Sequence, residues 1–233
     1  MGVVVNIGSG ADTISFESEP TLNSLISLTK VDLDDVNKII LQSMDSPVTL
    51  IPQLAGHLIA AGGKRIRPML TLASARLCGY DGERHKGLAA SVEFIHTATL
   101  LHDDVVDESS LRRGLASANS VWGNQASVLV GDFLFSRAFE LMVGDGSLEV
   151  LGVLSKASSI IAEGEVLQLT TTNNTETGET QYLEVIKSKT AQLFSAACRI
   201  GALVANRPKV EEDALETFGM NLGITFQLVD DML

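Results

Sequence analysis

The sequence predicts an all-α protein, and three observations carry that expectation. Apolar residues recur at helical spacing from Leu22 onward, the interruptions are short and rich in Gly, Asn or Pro, and no stretch alternates long enough to found a sheet. With 233 residues, 45% of them apolar and 20% charged, the chain suits one large domain or two small ones. That balance excludes disorder throughout, a fibrous repeat and a disulfide-knotted miniature fold. No period repeats, so a solenoid is excluded as well.

Residues 1–20, with Gly8, Ser9 and Gly10 among scattered Ser, Thr and Glu, read as a loose tail, and residues 21–233 as a single helical domain. Ser46 and Pro47 read as a helix start, the hydroxyl capping free amides and the proline sitting where no donor is needed. Breaks are expected at Gly62-Gly63, Gly79 to Gly82, Ser109 to Asn119, Gly144 to Ser147, Thr170 to Gly178, and Asn206 to Pro208. They leave roughly eight helices and no convincing strand, since Val3 to Val5 is too short. In the last helix Leu215, Phe218, Leu222, Phe226, Val229 and Leu233 mark one stripe, and Gly219 and Gly223 offer a small-residue face for close packing. No glycine, proline or basic turn closes that helix, so its pattern is expected to continue past Leu233.

Seventeen Lys and Arg against 29 Asp and Glu leave a formal charge of -12 and a pI near 4.7. A broad polyanion-binding face is thereby excluded, and nucleic acid is not an expected partner. Cys78 and Cys198 lack CxxC spacing or His partners, and both read as buried thiols of a reduced chain. With no long apolar span and no secretory leader, the chain is expected to be soluble and cytoplasmic. A mean hydropathy of +0.22 is high for so acidic a chain and fits an oligomer interface or an apolar cavity.

The chemistry-bearing residues fall into two groups. Asp103, Asp104 and Asp107 stand at the C-terminal end of a long apolar helix; Asp103 and Asp107, four apart, share one face about 6 Å apart along the axis. Two anions where the helix dipole disfavours them need a cation nearby, and oxygen-only ligands at this spacing suit Mg2+ completed by water and phosphate oxygens. A solvated acidic helix end is the plainer alternative. Asp230 and Asp231, with Gln227 on their shared face, form a second pair that by itself reads equally as surface. Gly62-Gly-Lys-Arg-Ile-Arg-Pro68 opens a helix with Lys64, Arg65 and Arg67, an anion pocket or a solvated basic loop. Arg112 and Arg113 can reach a phosphate held by the first acidic group. His96, seven residues before Asp103, either donates to the same anion or is a satisfied core histidine.

Taken in order, GGKRIRP, EFIHTATLLHDDVVDESSLRRG, the Lys189-Thr190 pair and QLVDD resemble the trans-type polyprenyl diphosphate synthases, from about Leu22 to the last residue, and especially their long-chain members. That resemblance implies an all-α prenyl synthase bundle around a deep central cavity, usually in a homodimer. It implies that Asp103, Asp104 and Asp107 bind Mg2+ against an allylic diphosphate, and that Asp230 and Asp231 begin the second metal-binding motif. Arg112 would contact the allylic diphosphate; Lys64, Arg67, His96 and Arg113 would hold isopentenyl diphosphate; Lys189, Thr190 and Gln227 would contact the allylic diphosphate as it leaves. The family's second motif is DDxxD, and this chain reaches Leu233 before its last aspartate, whereas family members continue for several helices. Ala98 and Thr99, five and four residues before Asp103, are small where an aromatic ring would block a growing tail, so a long product is expected. The competing readings are a class I terpene cyclase, which needs no second diphosphate pocket, a non-catalytic partner subunit and an apolar-ligand carrier.

Overall fold

The chain is described here from a computed structural model over residues 21–60, 63–171 and 178–233. The expected tail, Gly62 and most of the expected break between Thr170 and Gly178 lie outside the described residues. The helices are α1 (Leu22–Ser43), α2 (Leu50–Ala60), α3 (Ile66–Leu77), α4 (Arg84–Val106), α5 (Ala118–Trp122), α6 (Asn124–Asp145), α7 (Leu148–Thr171), α8 (Glu179–Ile186), α9 (Gln192–Val204) and α10 (Lys209–Met232). A π turn, Lys187–Ala191, joins α8 to α9 with helical dihedrals at both junctions, so these run as one rod. With the five-residue α5 set aside, eight long helical units remain among the described residues, as the periodicity predicts.

Helix α4 is the centre of the bundle. Leu88, Val92, Ile95, Ala98 and Leu101 along it have no exposed surface, and α1, α3, α6 and α9 pack around it. A helix apolar on nearly every side belongs in the interior. On the α1 side the packing is polar as well: Arg76 donates to both Asp32 oxygens at 2.9 Å, and the fully buried His85 lies 3.1 Å from the same carboxylate. Cys198 is buried, its thiol pushed up to about 12 by desolvation, while Cys78 is half-buried rather than fully enclosed.

The expected small-residue face of α10 is real. A Cβ on Gly219 would lie 2.5 Å from the Phe194 carbonyl, and one on Gly223 would lie 2.5 Å from the Ala191 Cα. The apolar stripe is only partly used: Leu215, Leu222 and Phe226 pack against the core, whereas Phe218 and Val229 stay exposed because the glycine face takes the contact.

Three local expectations are corrected. Helix α2 begins at Leu50, not at Pro47; the Ser46 hydroxyl accepts from the Val48 amide (3.2 Å) in a turn instead. Val48 and Thr49 are β-branched and exposed, and the helix starts where Leu54 can be buried. Between Ser109 and Asn119 the chain forms a hairpin rather than a plain loop, with β1 (Leu111–Arg112) antiparallel to β2 (Leu115–Ala116). Its two-residue turn has positive φ at Arg113 (53°) and Gly114 (81°), the arrangement that matches strand twist. Gly123 (φ 85°) separates α5 from α6, a further break that the periodicity does not predict.

Candidate active site

A cavity of about 760 Å³ lies among α3, α4, α7, the π turn, α9 and α10. Its walls differ in charge. Lys64, Arg65 and Arg67 from the start of α3 and Arg112 and Arg113 from the hairpin make one side basic. Asp103 from α4, Asp107 at the C-cap of that helix, Glu165 from α7 and Asp230 from α10 make the other side acidic, with Lys189 among them. Ile66, Leu100, Phe194 and Phe226 supply the apolar lining.

On α4 the helical repeat aims Glu93, His96, Leu100, Asp103 and Asp107 into the cavity together. Burial pushes the Asp103 carboxyl up to about 7, reinforced by the Glu165 and Asp107 charges and opposed by Lys189. The Lys189 ammonium sits 2.7 Å from Glu165 and 3.6 Å from Asp103. Burial works to lower its pKa, but its hydrogen bond to Glu165 and the surrounding carboxylates prevail and raise it. The close approach that allows this depends on Gly164, where a Cβ would lie 2.7 Å from the Ser188 Cβ and 3.1 Å from the Lys189 amide. Thr190 donates to the Gln227 side chain at 2.9 Å, tying the π turn to α10.

Asp104 points elsewhere. It is 3% exposed, accepts from the Arg112 guanidinium (Nε at 3.0 Å) and does not line the cavity. Adjacent helical residues point about 100° apart, so α4 cannot present Asp103 and Asp104 on one face. As placed, the expected metal ligand Asp104 is a tether for Arg112. Asp231 is likewise held outside, accepting from the Tyr182 hydroxyl at 2.6 Å and the Gln227 amide at 2.7 Å.

On the basic side Arg67 stacks over Phe194, 4.5 Å from the ring centroid, and donates to His96 Nε2 at 3.0 Å. Burial lowers its pKa to about 10, which leaves it charged at neutral pH, and its Nε has no partner. His96 is held well below its usual value by burial and by the Arg67, Arg113, Arg112 and Arg65 charges. It is therefore a neutral acceptor for Arg67. Thr99 lines the cavity as expected, but Ala98 is fully buried in the core and lines none of it, since it lies a helical step away.

Glu93, Glu165 and Tyr182 were not singled out by motif. Glu93 was legible by spacing, being ten residues before Asp103 on the α4 stripe; Glu165 and Tyr182 carry no such signal. The donor set fits Mg2+: all oxygens, with Glu165 Oε1 buried and unpartnered. Among the described residues no three carboxylate, thiol or imidazole groups converge into a ready-made cluster. Mg2+ does not need one, because water and phosphate oxygens complete its shell.

The polyprenyl synthetase family matches residues 48–233. The chain is 52% identical over 212 residues to the octaprenyl diphosphate synthase of Escherichia coli (strain K12), covering 91% of this chain and 66% of that protein. It resembles the solved decaprenyl diphosphate synthase of Rhodobacter capsulatus with a TM-score of 0.88 and 53% identity, covering 91% of this chain and 65% of the other. A polyprenyl synthase from Caulobacter crescentus CB15, solved with calcium and isoprenyl diphosphate, gives a TM-score of 0.89 and 54% identity over 91% of this chain and 64% of that one. The chain thus spans just under two thirds of the length of these relatives. With that extent of match and with paired acidic and basic walls around one cavity, the chain belongs to the polyprenyl synthetase family.

Proposed function

We propose that the protein is a long-chain trans-polyprenyl diphosphate synthase, condensing isopentenyl diphosphate head-to-tail onto an allylic diphosphate. One observation carries the reading: a single cavity sets Asp103, Asp107 and Asp230 on one wall and Lys64, Arg67 and Arg113 on the other. Two diphosphates, one metal-bound and one held by cations, satisfy both walls at once. The relatives named for octaprenyl and decaprenyl products support the long-chain assignment.

Asp103, Asp107 and Asp230 would hold Mg2+, which when bound neutralises charge on the departing diphosphate. Lys189, supported by Glu165, offers a further positive charge to the same oxygens, and Thr190 and Gln227 position the π turn that carries it. Lys64, Arg67 and Arg113 hold isopentenyl diphosphate, whose double bond attacks the allylic cation; the proton lost passes to the released diphosphate. Ile66, Leu100, Phe194 and Phe226 keep water from quenching that cation. A carrier of apolar ligands has no use for such walls. No helix among the described residues is long and apolar enough to cross a membrane, and we assign the enzyme to the cytoplasm as a homodimer feeding quinone side-chain synthesis.

Incubation with Mg2+, an allylic starter and isopentenyl diphosphate should give elongated product, whereas a pure partner subunit gives none. Thr99→Phe should shorten the product; unchanged long products would contradict the assignment of Thr99 to the tail path.

A further inference from the structure

The basic wall contains one anion. Glu93 on α4 lines the cavity among Lys64, Arg65, Arg67 and Arg113, is 7% exposed, and is paired with the Arg65 guanidinium. Arg65 in turn occupies the left-handed region (φ 49°, ψ 35°) as the N-cap of α3, although it has a Cβ and its side chain makes no cap bond. A non-glycine residue stays in that region only where its surroundings hold it there. Here the Arg65 carbonyl accepts from the Met69 amide at 3.0 Å, and the side chain is anchored on Glu93.

The neighbours of Arg65 show what depends on that anchor. Arg67, two residues on, is fixed by Phe194 and His96. Lys64, one residue before, is exposed and has no ion-pair partner among the described residues. Its direction therefore comes from the backbone, and the backbone there is set by the left-handed turn at Arg65.

We infer that Glu93 is a positioning residue: by clamping Arg65 in its left-handed turn it aims Lys64 alongside Arg67 at the homoallylic diphosphate. The inference rests on the reading that isopentenyl diphosphate occupies the basic wall. For Glu93→Gln electrostatics alone gives the opposite sign, since removing an anion from a basic wall should tighten the binding of another anion. The direction of the effect is therefore diagnostic.

Equilibrium titration with isopentenyl diphosphate, and separately with geranyl diphosphate plus Mg2+, tests it. Glu93→Gln and Arg65→Ala should each weaken isopentenyl diphosphate binding about tenfold, with the double variant no worse than either, because both break the same clamp. Arg65→Lys, which keeps the charge, should recover part of the loss, and geranyl diphosphate affinity should stay within about twofold throughout. Thermal unfolding checks that each variant is folded; should Glu93→Gln fail, Glu93→Asp decides, because it keeps the anion but shortens its reach to Arg65 and should weaken isopentenyl diphosphate binding in the same direction. Unchanged or tighter isopentenyl diphosphate binding in the folded variants overturns the inference, as does equal loss for both ligands. A wild-type chain that does not bind isopentenyl diphosphate overturns the underlying reading instead, and the inference with it.

Discussion

Each adjacent aspartate pair sends one carboxylate into the cavity and holds the other back, but by different means. In Asp103-Asp104 the withheld carboxylate is buried and takes a guanidinium, Arg112. In Asp230-Asp231 it stays in solvent and takes neutral donors, the Tyr182 hydroxyl and the Gln227 amide. A buried anion needs a charged partner, whereas a hydrated one needs only orientation. The first pair is thus also a structural joint between α4 and the hairpin, and the second is a lightly held arm of α10.

The largest effect should fall on the aimed carboxylate of the buried pair. Asp103→Asn is expected to lower Mg2+-dependent turnover by about 10³-fold in a steady-state assay. Because burial raises this carboxyl to about 7, the metal-free fold binds a proton between its ordinary value of 3.8 and 7 that the unfolded chain has released. Its ionisation therefore removes stability as pH rises through that window. Melting temperature in a chelator should fall between pH 5 and pH 7 (~2 pH units) for the wild type, and this part of the slope should vanish in Asp103→Asn. A slope that persists would show the proton to be bound elsewhere.

A smaller effect is expected at the joint. Asp104→Ala leaves Arg112 without its carboxylate and should cost about 2 kcal/mol in denaturant unfolding. It should also weaken turnover about tenfold, because the released hairpin carries Arg112 and Arg113. If turnover collapsed as it does in Asp103→Asn while stability held, the tether assignment of Asp104 would be wrong. The smallest effect is expected at the exposed arm: Tyr182→Phe removes one solvent-exposed hydrogen bond and should change kcat/KM by no more than about threefold. A loss as large as that of Asp104→Ala would show the second pair to be as tightly constrained as the first.

The contrast between the pairs also measures what was legible beforehand. The α4 stripe of Glu93, His96, Asp103 and Asp107 follows from helical spacing alone, and the same spacing already turns Asp104 away. A motif read as a block of three aspartates hides that geometry. The glycine face of α10 was legible because close packing asks for small residues at regular intervals. The clamp at Arg65 and the turn at Arg113 were not, because an arginine at positive φ contradicts its own local preference and is held there by groups distant in sequence. Glu165 was hidden for a related reason: its partner Lys189 comes from another helix, brought close by the bare face at Gly164.

The wide winding at Lys187–Ala191 amounts to one residue more than a regular helix needs. Excise that surplus, by deleting Ser188, and α8 would run into α9 without a bulge, turning one half against the other by about a quarter-circle. Lys189 and Thr190 could then no longer face the Glu165 and Gln227 groups that greet them now. The ammonium nearest the acidic wall is there by virtue of that one surplus residue.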